Sequence, residues 1–301
     1  MRVFIAAIDG LEYNLVVKWD MKTFMQKKFG VHDVTVSVKP GEPLYTPLIW
    51  ASFLLGEPAY KYGFDMDYIE SRKAEYGYNI ILRYLFKIRK TFLKNKRLGL
   101  REFLAKKGIF DINNVKRQSH KIEVMPDSLL ARTFIAECKK RGLRVLYKNI
   151  PSMPNDKYSR YRAYLFEYFN SEFNKRIEIL NELYSETQKD LYYILNNINK
   201  YDLIIYYTPL IDEAHHMLYR PGKLSLMVRL RQYYGLVEKQ VSLIKENLDR
   251  NDLLLIVSDH GYDPNIHEHS NYGFWSSNLP LDPEPRRITD FRWIVERFLC
   301  R

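Results

Sequence analysis

Five of the seven histidines fall between His215 and His269, most of them beside carboxylates. The run Asp212-Glu213-Ala214-His215-His216 and the run Ser258-Asp259-His260-Gly261 each bring acid and imidazole within a few residues. Such mixed donors suit zinc or a similar divalent ion. Asp212 and His216 are four apart, so a helix would put both on one face, where they could chelate one ion; a solvated pair has the same spacing. His267 and His269, two apart, point the same way in an extended chain, and a wet loop also tolerates them. Asp9 precedes Gly10 as a further carboxylate, though an acid leaving a strand into a turn needs no ion to explain it.

A nucleophile candidate lies elsewhere. Thr46-Pro47 opens an apolar run that stops at Gly56. It reads as a short helix with Thr46 as N-cap, Pro47 at the first helical position and Gly56 at the end. Most threonines so placed only cap. A hydroxyl at a helix N-terminus also sits in a positive field that favours its alkoxide and an anionic substrate. A nearby metal would lower its pKa further.

These residues need elements to hold them. Short apolar runs at 3–8, 34–38, 145–150, 203–207 and 253–257 read as buried strands. Helical patterns at 131–141, 169–197 and 230–248 separate the later ones, and 290–299 closes the chain as a short amphipathic helix. Strands alternating with helices imply crossovers and a largely parallel sheet, hence an α/β fold. In open α/β sheets ligands bind beyond the carboxyl ends of the strands. The runs at 3–8, 203–207 and 253–257 each deliver a carboxylate there, and two deliver imidazoles as well. Residues 65–130 break the alternation and read as a helical insertion or cap within one domain spanning 1–301.

Taken together, these residues resemble the alkaline phosphatase superfamily, and most closely its type I phosphodiesterase and nucleotide pyrophosphatase branch. "AIDG" looks like the family's first metal aspartate, and "TPLIWASFLLGEPAYKYGF" is similar to its nucleophile segment. "GLRVLYKNIPSMP" matches the strand and loop midway, "LIDEAHHMLY" the Asp-x-x-x-His, "SDHGYDP" the Ser-Asp-His-Gly, and "HSNYG" the last His-x-x-x-Gly. "ITDF" resembles a further motif near the end. The matches are in order and span residues 3–295, leaving 65–130 uncovered. The resemblance implies a three-layer sandwich whose largely parallel central sheet is flanked by helices. It also implies two divalent metals, zinc with manganese as the alternative. One would be held by Asp9, Asp259 and His260 with the Thr46 oxygen. The other would be held by Asp212, His216 and His269, chosen over His215 and His267 by family spacing. Thr46 would be the nucleophile.

The chain departs from the pattern in four places, one of them Pro58, which lies one residue further from Tyr62 than the pattern expects. Leu54-Leu55-Gly56 replaces Leu-Thr-Gly, and Tyr62 replaces a histidine before Gly63. The branch has a phosphate-contacting asparagine in a segment this chain does not clearly match; the nearby polar residues here are Asp65 and Asp67, and a bare carboxylate would repel a phosphoryl oxygen. No Cys-x-Pro-x-Arg stretch is present, which argues against a sulfatase.

The net charge of +11 is local. Residues 71–121 hold 15 Lys/Arg against three acids, a balance of +12, so the remainder sums to −1. Ile81, Leu85, Ile88 and Phe92 form one helical stripe; Arg83, Lys87, Lys90 and Lys94 form another on the opposite side. This fits a cap helix with solvated lysines, an anionic membrane surface or nucleic acid. Two cysteines make no disulfide framework, so a reducing compartment is expected. The first apolar run is too short for a signal peptide, and no stretch reaches the length of a membrane span. The expectation is cytoplasmic, with peripheral membrane contact open.

Three function classes follow. The first is a metal-dependent hydrolase of phosphate esters or anhydrides, acting on a nucleotide or phosphodiester. The second is a phosphotransferase or mutase of the same superfamily. The third is a non-catalytic membrane- or nucleic-acid-binding relative, which should have lost ligands; here all six and Thr46 are present.

Overall fold

The computed structural model describes residues 1–78, 110–220, 222–263 and 268–299. Its centre is a six-stranded sheet in the order β2-β8-β5-β1-β4-β3. The strands are β1 Val3–Ile8, β2 Lys28–Asp33, β3 Val145–Lys148, β4 Leu203–Thr208, β5 Leu253–Val257 and β8 Tyr272–Ser277; β6 Tyr262–Asp263 and β7 Glu268–His269 form a separate hairpin. β3, β4, β1 and β5 run parallel, while β8 is antiparallel to both β5 and β2.

Every residue of β1, β4 and β5 is buried, though side chains alternate between faces. Helices therefore cover the sheet on both sides, as parallel sheets require. Each fully buried aliphatic or aromatic side chain contributes about 1.5–3 kcal/mol, and an unpaired charge there would cost more than that. Charged residues therefore flank these strands rather than interrupt them, with Arg2, Asp202 and Asp252 just before them and Asp9, Asp212 and Asp259 past their carboxyl ends.

Several elements differ from the sequence expectation. Residues 34–38 are not a strand. Asp33 Oδ1 accepts from the Thr35 amide at 2.8 Å and its hydroxyl at 2.7 Å, which turns the chain into the 3-10 segment Thr35–Ser37. The strand lies just before it, as β2, whose apolar Phe29 and Val31 face solvent while His32 is buried. That inverted pattern hides β2. β8 is hidden differently, since its buried positions include Gly273, Ser276 and Ser277.

The long helix expected over 169–197 is Phe173–Leu195, and a further helix that was not expected, Ser159–Phe169, precedes it. The Asn170 and Ser171 side chains donate back to the Phe166 and Tyr168 carbonyls and end the earlier one. Helix Thr46–Leu55 is wholly buried and ends at Gly56, but it starts one residue earlier than expected. Tyr45 is the N-cap, its carbonyl accepting from the Leu48 and Ile49 amides.

Of the basic segment, Arg72, Lys73 and Lys116 are paired with Glu75, Glu70 and Glu167. The two stripes from Ile81 to Lys94 lie outside the described residues. No helix among the described residues is long and apolar enough to cross a membrane.

Candidate metal centre

The strand order places β1 between β4 and β5, so the three chemistry-bearing strand ends are neighbours. Asp9 leaves β1, Asp259 and His260 leave β5, and helix Leu210–Leu218 follows β4 with Asp212 in its first turn and His216 in its last. Gly10 allows this convergence. Its φ is +69°, and a Cβ there would stand 2.7 Å from the Asp212 Cα. Ser258 braces the other side, accepting from the Leu11 amide at 2.9 Å and donating to the His260 carbonyl at 2.7 Å.

Two clusters result. Asp9, Asp259 and His260 form one, and Asp212, His216 and His269 the other; within each, the donor atoms lie within 4.8 Å of one another. They share a border. His260 Nε2 is 4.0 Å from Asp212 Oδ1, and the His260 and His269 rings stack at 3.6 Å. Thr46 Oγ1 lies 3.3 Å from His260 Nε2, so the hydroxyl faces the clusters from the start of its helix.

The carboxylates are the telling feature. Asp9 Oδ1, Asp259 Oδ2 and Asp212 Oδ1 are buried with no hydrogen-bond partner. Each points at imidazole: Asp9 Oδ1 and Asp259 Oδ2 lie 3.1 and 3.4 Å from His260 Nε2, and Asp212 Oδ1 lies 3.5 Å from His216 Nε2 and 3.9 Å from His269 Nε2. The other oxygen of Asp9 is tied to the Tyr207 hydroxyl at 2.5 Å, and that of Asp259 to the Gly10 amide at 3.4 Å. Orphaned buried acceptors demand an explanation, and a pair of cations among them provides one. On the imidazole side, His260 Nδ1 lies 2.9 Å from the Gly261 carbonyl. A carbonyl can only accept, so Nδ1 carries hydrogen and Nε2 is the nitrogen turned to the clusters, as in metal-bound histidines.

The electrostatics agree. Burial pushes the Asp259 carboxyl well up, and the Asp9 charge beside it adds to this. Burial lowers His260, but Asp259, Asp9 and Asp212 outweigh it and hold the ring up to about 10. Burial and the neighbouring His260 keep His269 well below the ordinary histidine range. The pocket thus calls for positive charge, which a bound divalent ion would supply.

His215 is not in either cluster; its Nε2 meets the Tyr234 hydroxyl at 2.9 Å. His267 lies outside the described residues. Asp65 is not a bare carboxylate. It caps helix Met66–Gly77 through the Tyr68 amide and pairs with Lys39 at 2.6 Å, while Asp67 lies 3.9 Å from the same ammonium. Tyr62 packs under the Arg132 guanidinium, 4.1 Å from its ring centroid.

Sequence reasoning passed over Glu12. It is buried and accepts from the Tyr262 amide at 2.9 Å, the Tyr272 hydroxyl at 2.7 Å and the Asn14 amide at 3.0 Å, joining the loops that carry His260 and His269 to the exit of β1. Its place three residues after Asp9 was the one signal available. A cavity of about 370 Å³ opens beside His269, lined by Thr35, Lys39, Leu44, Glu268 and Asn271. A larger groove of about 990 Å³ follows the outer edge of β2 and holds none of the seven site residues.

No protein-family model matches the chain, and no curated protein matches it. Among solved structures it is similar to the PH0037 protein from Pyrococcus horikoshii, at 10% identity and a TM-score of 0.47, over 99% of this chain and 96% of that one. That likeness is too slight to bear on either fold family or activity.

Proposed function

We propose that the chain is a metal-dependent hydrolase of phosphate esters or anhydrides, with an alkaline phosphatase-like fold, two divalent cations and Thr46 as nucleophile. One observation carries the reading: three buried carboxylate oxygens without a hydrogen-bond partner converge with three imidazole Nε2 atoms beside the hydroxyl of a helix-opening threonine.

Asp9, Asp259 and His260 would hold one cation; Asp212, His216 and His269 would hold the other. The bound cations supply Lewis acidity and positive charge for a phosphoryl group. Thr46 Oγ1 forms the new bond to phosphorus as the bond to the leaving-group oxygen breaks, its proton passing through solvent to that oxygen, giving a phospho-threonine and a free alcohol or phosphate. Water then cleaves that ester and restores the hydroxyl. The N-terminal field of helix Thr46–Leu55 favours negative charge on Oγ1 and on the phosphoryl oxygens. The cavity beside His269 offers room for the leaving group, with Lys39 at its rim.

The test is turnover by the zinc- or manganese-loaded chain on phosphomonoesters, phosphodiesters and nucleotides. Metal-dependent release from one class is the expected result. No release from any class would overturn the hydrolase reading and favour a non-catalytic binder.

A further inference from the structure

The two oxygens of Asp9 keep different company. Oδ1 has no hydrogen-bond partner and faces His260, whereas Oδ2 accepts from the Tyr207 hydroxyl at 2.5 Å. Tyr207 is buried on β4, in register with Ala7 of β1. Behind it, Arg162 Nη1 donates to the same hydroxyl oxygen at 3.4 Å. A guanidinium has only donors, so the tyrosine's own hydrogen is left for Asp9. Arg162 is held in turn by Glu123, at 2.8 Å, and by Asp156, both acids buried and the guanidinium almost so. Glu123 also accepts from the Tyr45 hydroxyl at 2.6 Å, and Tyr45 caps the helix that Thr46 opens. One buried polar network therefore reaches both Asp9 and the backbone beside Thr46.

We propose that Tyr207 and Arg162 are positioning residues of the metal centre. Arg162 fixes the direction of the Tyr207 hydroxyl. That hydroxyl occupies Asp9 Oδ2 and leaves Oδ1 as the one oxygen turned to the ion. Burying Arg162 between two acids is an expensive way to stabilise a core, where apolar side chains of equal volume often do as well or better. A role in holding a ligand's orientation accounts for it. The inference rests on the metal-centre reading above and adds a part of the machinery that no motif in the sequence marks.

Cobalt(II) titration, followed by the visible absorption of the bound ion, tests the proposal. Tyr207→Phe keeps the ring packed against Trp50 and Tyr158 and removes only the hydroxyl. Its cobalt affinity at the Asp9 cluster should fall about 10- to 100-fold, the range for losing an outer partner of a ligand. The absorption of that ion should change, and the step belonging to the Asp212 cluster should not. Arg162→Lys keeps a cation between Glu123 and Asp156 without the fork, and should weaken the same step less. Placed on top of Tyr207→Phe it should cost nothing more, because Arg162 acts through the hydroxyl. Far-UV circular dichroism checks folding first, and each single variant gives its own reading. Unchanged cobalt affinity in either single variant, or losses that add in the double variant, would overturn this proposal and leave the metal centre standing. A wild-type chain that takes up no cobalt would instead overturn the metal centre itself.

Discussion

The two candidate clusters mix carboxylate and imidazole in opposite proportions, two to one in the first and one to two in the second, and they are built in different places. Asp9, Asp259 and His260 sit at the ends of two central strands with no exposed surface at all. Asp212 and His216 belong to a helix and His269 to the β6–β7 hairpin, and their imidazoles are 19% and 17% exposed. The first cluster is therefore part of the core and costs what a core feature costs to disturb. The second borders the cavity, where an ion held as proposed would exchange more readily and meet a substrate. Thr46 stands against the buried cluster, so as the proposed nucleophile it would act from the buried side and leave the open side for the leaving group and water.

The largest expected effect is on the buried side. Thr46→Ala should lower turnover of a chromogenic phosphodiester by about 10³-fold or more, as loss of a nucleophile does, with both metal equivalents retained. Turnover near the wild-type rate would remove Thr46 from the mechanism.

Next is the order in which the ions leave. In dialysis against a chelator the ion of the Asp212 cluster should come off first, and His216→Ala should speed that step without touching the slower one. Simultaneous release would erase the distinction between buried and open clusters.

A smaller effect is expected in acid. His32 packs behind the buried cluster, where a Cβ at Gly273 would strike both its ring and the Ser258 carbonyl. Burial pushes His32 down to about 3, against about 6.5 for an unfolded histidine. Between these values the unfolded chain binds a proton that the folded chain refuses. The contribution is intact above pH 6.5 and is lost as pH falls toward 3, about 2 kcal/mol being gone at pH 5. Urea unfolding at pH 7 and pH 5 should show the loss, and His32→Leu should lack that part of it. Equal slopes in the two proteins would show that this wall is not proton-sensitive.

The smallest effect belongs to the rim. Lys39 is partly exposed and paired with Asp65, and such pairs are worth no more than about 1 kcal/mol. Lys39→Met should raise KM by no more than about five-fold with kcat unchanged. A fall in kcat would move Lys39 from the rim into the reaction.

Much of this was legible in the sequence, for a physical reason. β1, β4 and β5 are buried on both faces, so they read as continuous apolar runs, and the charges at their ends stand out. Asp9, Asp212, Asp259 and His260 were legible on those grounds. β2 and β8 were not, because exposed Phe29 and Val31 and buried Ser276 and Ser277 reverse the usual pattern. Helix Ser159–Phe169 was passed over, and its end carries no glycine or proline because the Asn170 and Ser171 side chains turn back onto carbonyls instead. Tyr207, Arg162 and Glu12 were illegible for another reason. Their roles come from contacts between residues far apart in the chain, such as the bond from Tyr207 to Asp9, which no local spacing encodes.

The central claim is that the orphaned carboxylates and imidazoles are metal ligands. Elemental analysis of the zinc-reconstituted, desalted chain tests it most directly. Two equivalents per chain in the wild type, with the buried one missing in Asp259→Asn, is the predicted result. No bound metal in the wild type, or the same content in both proteins, would contradict it.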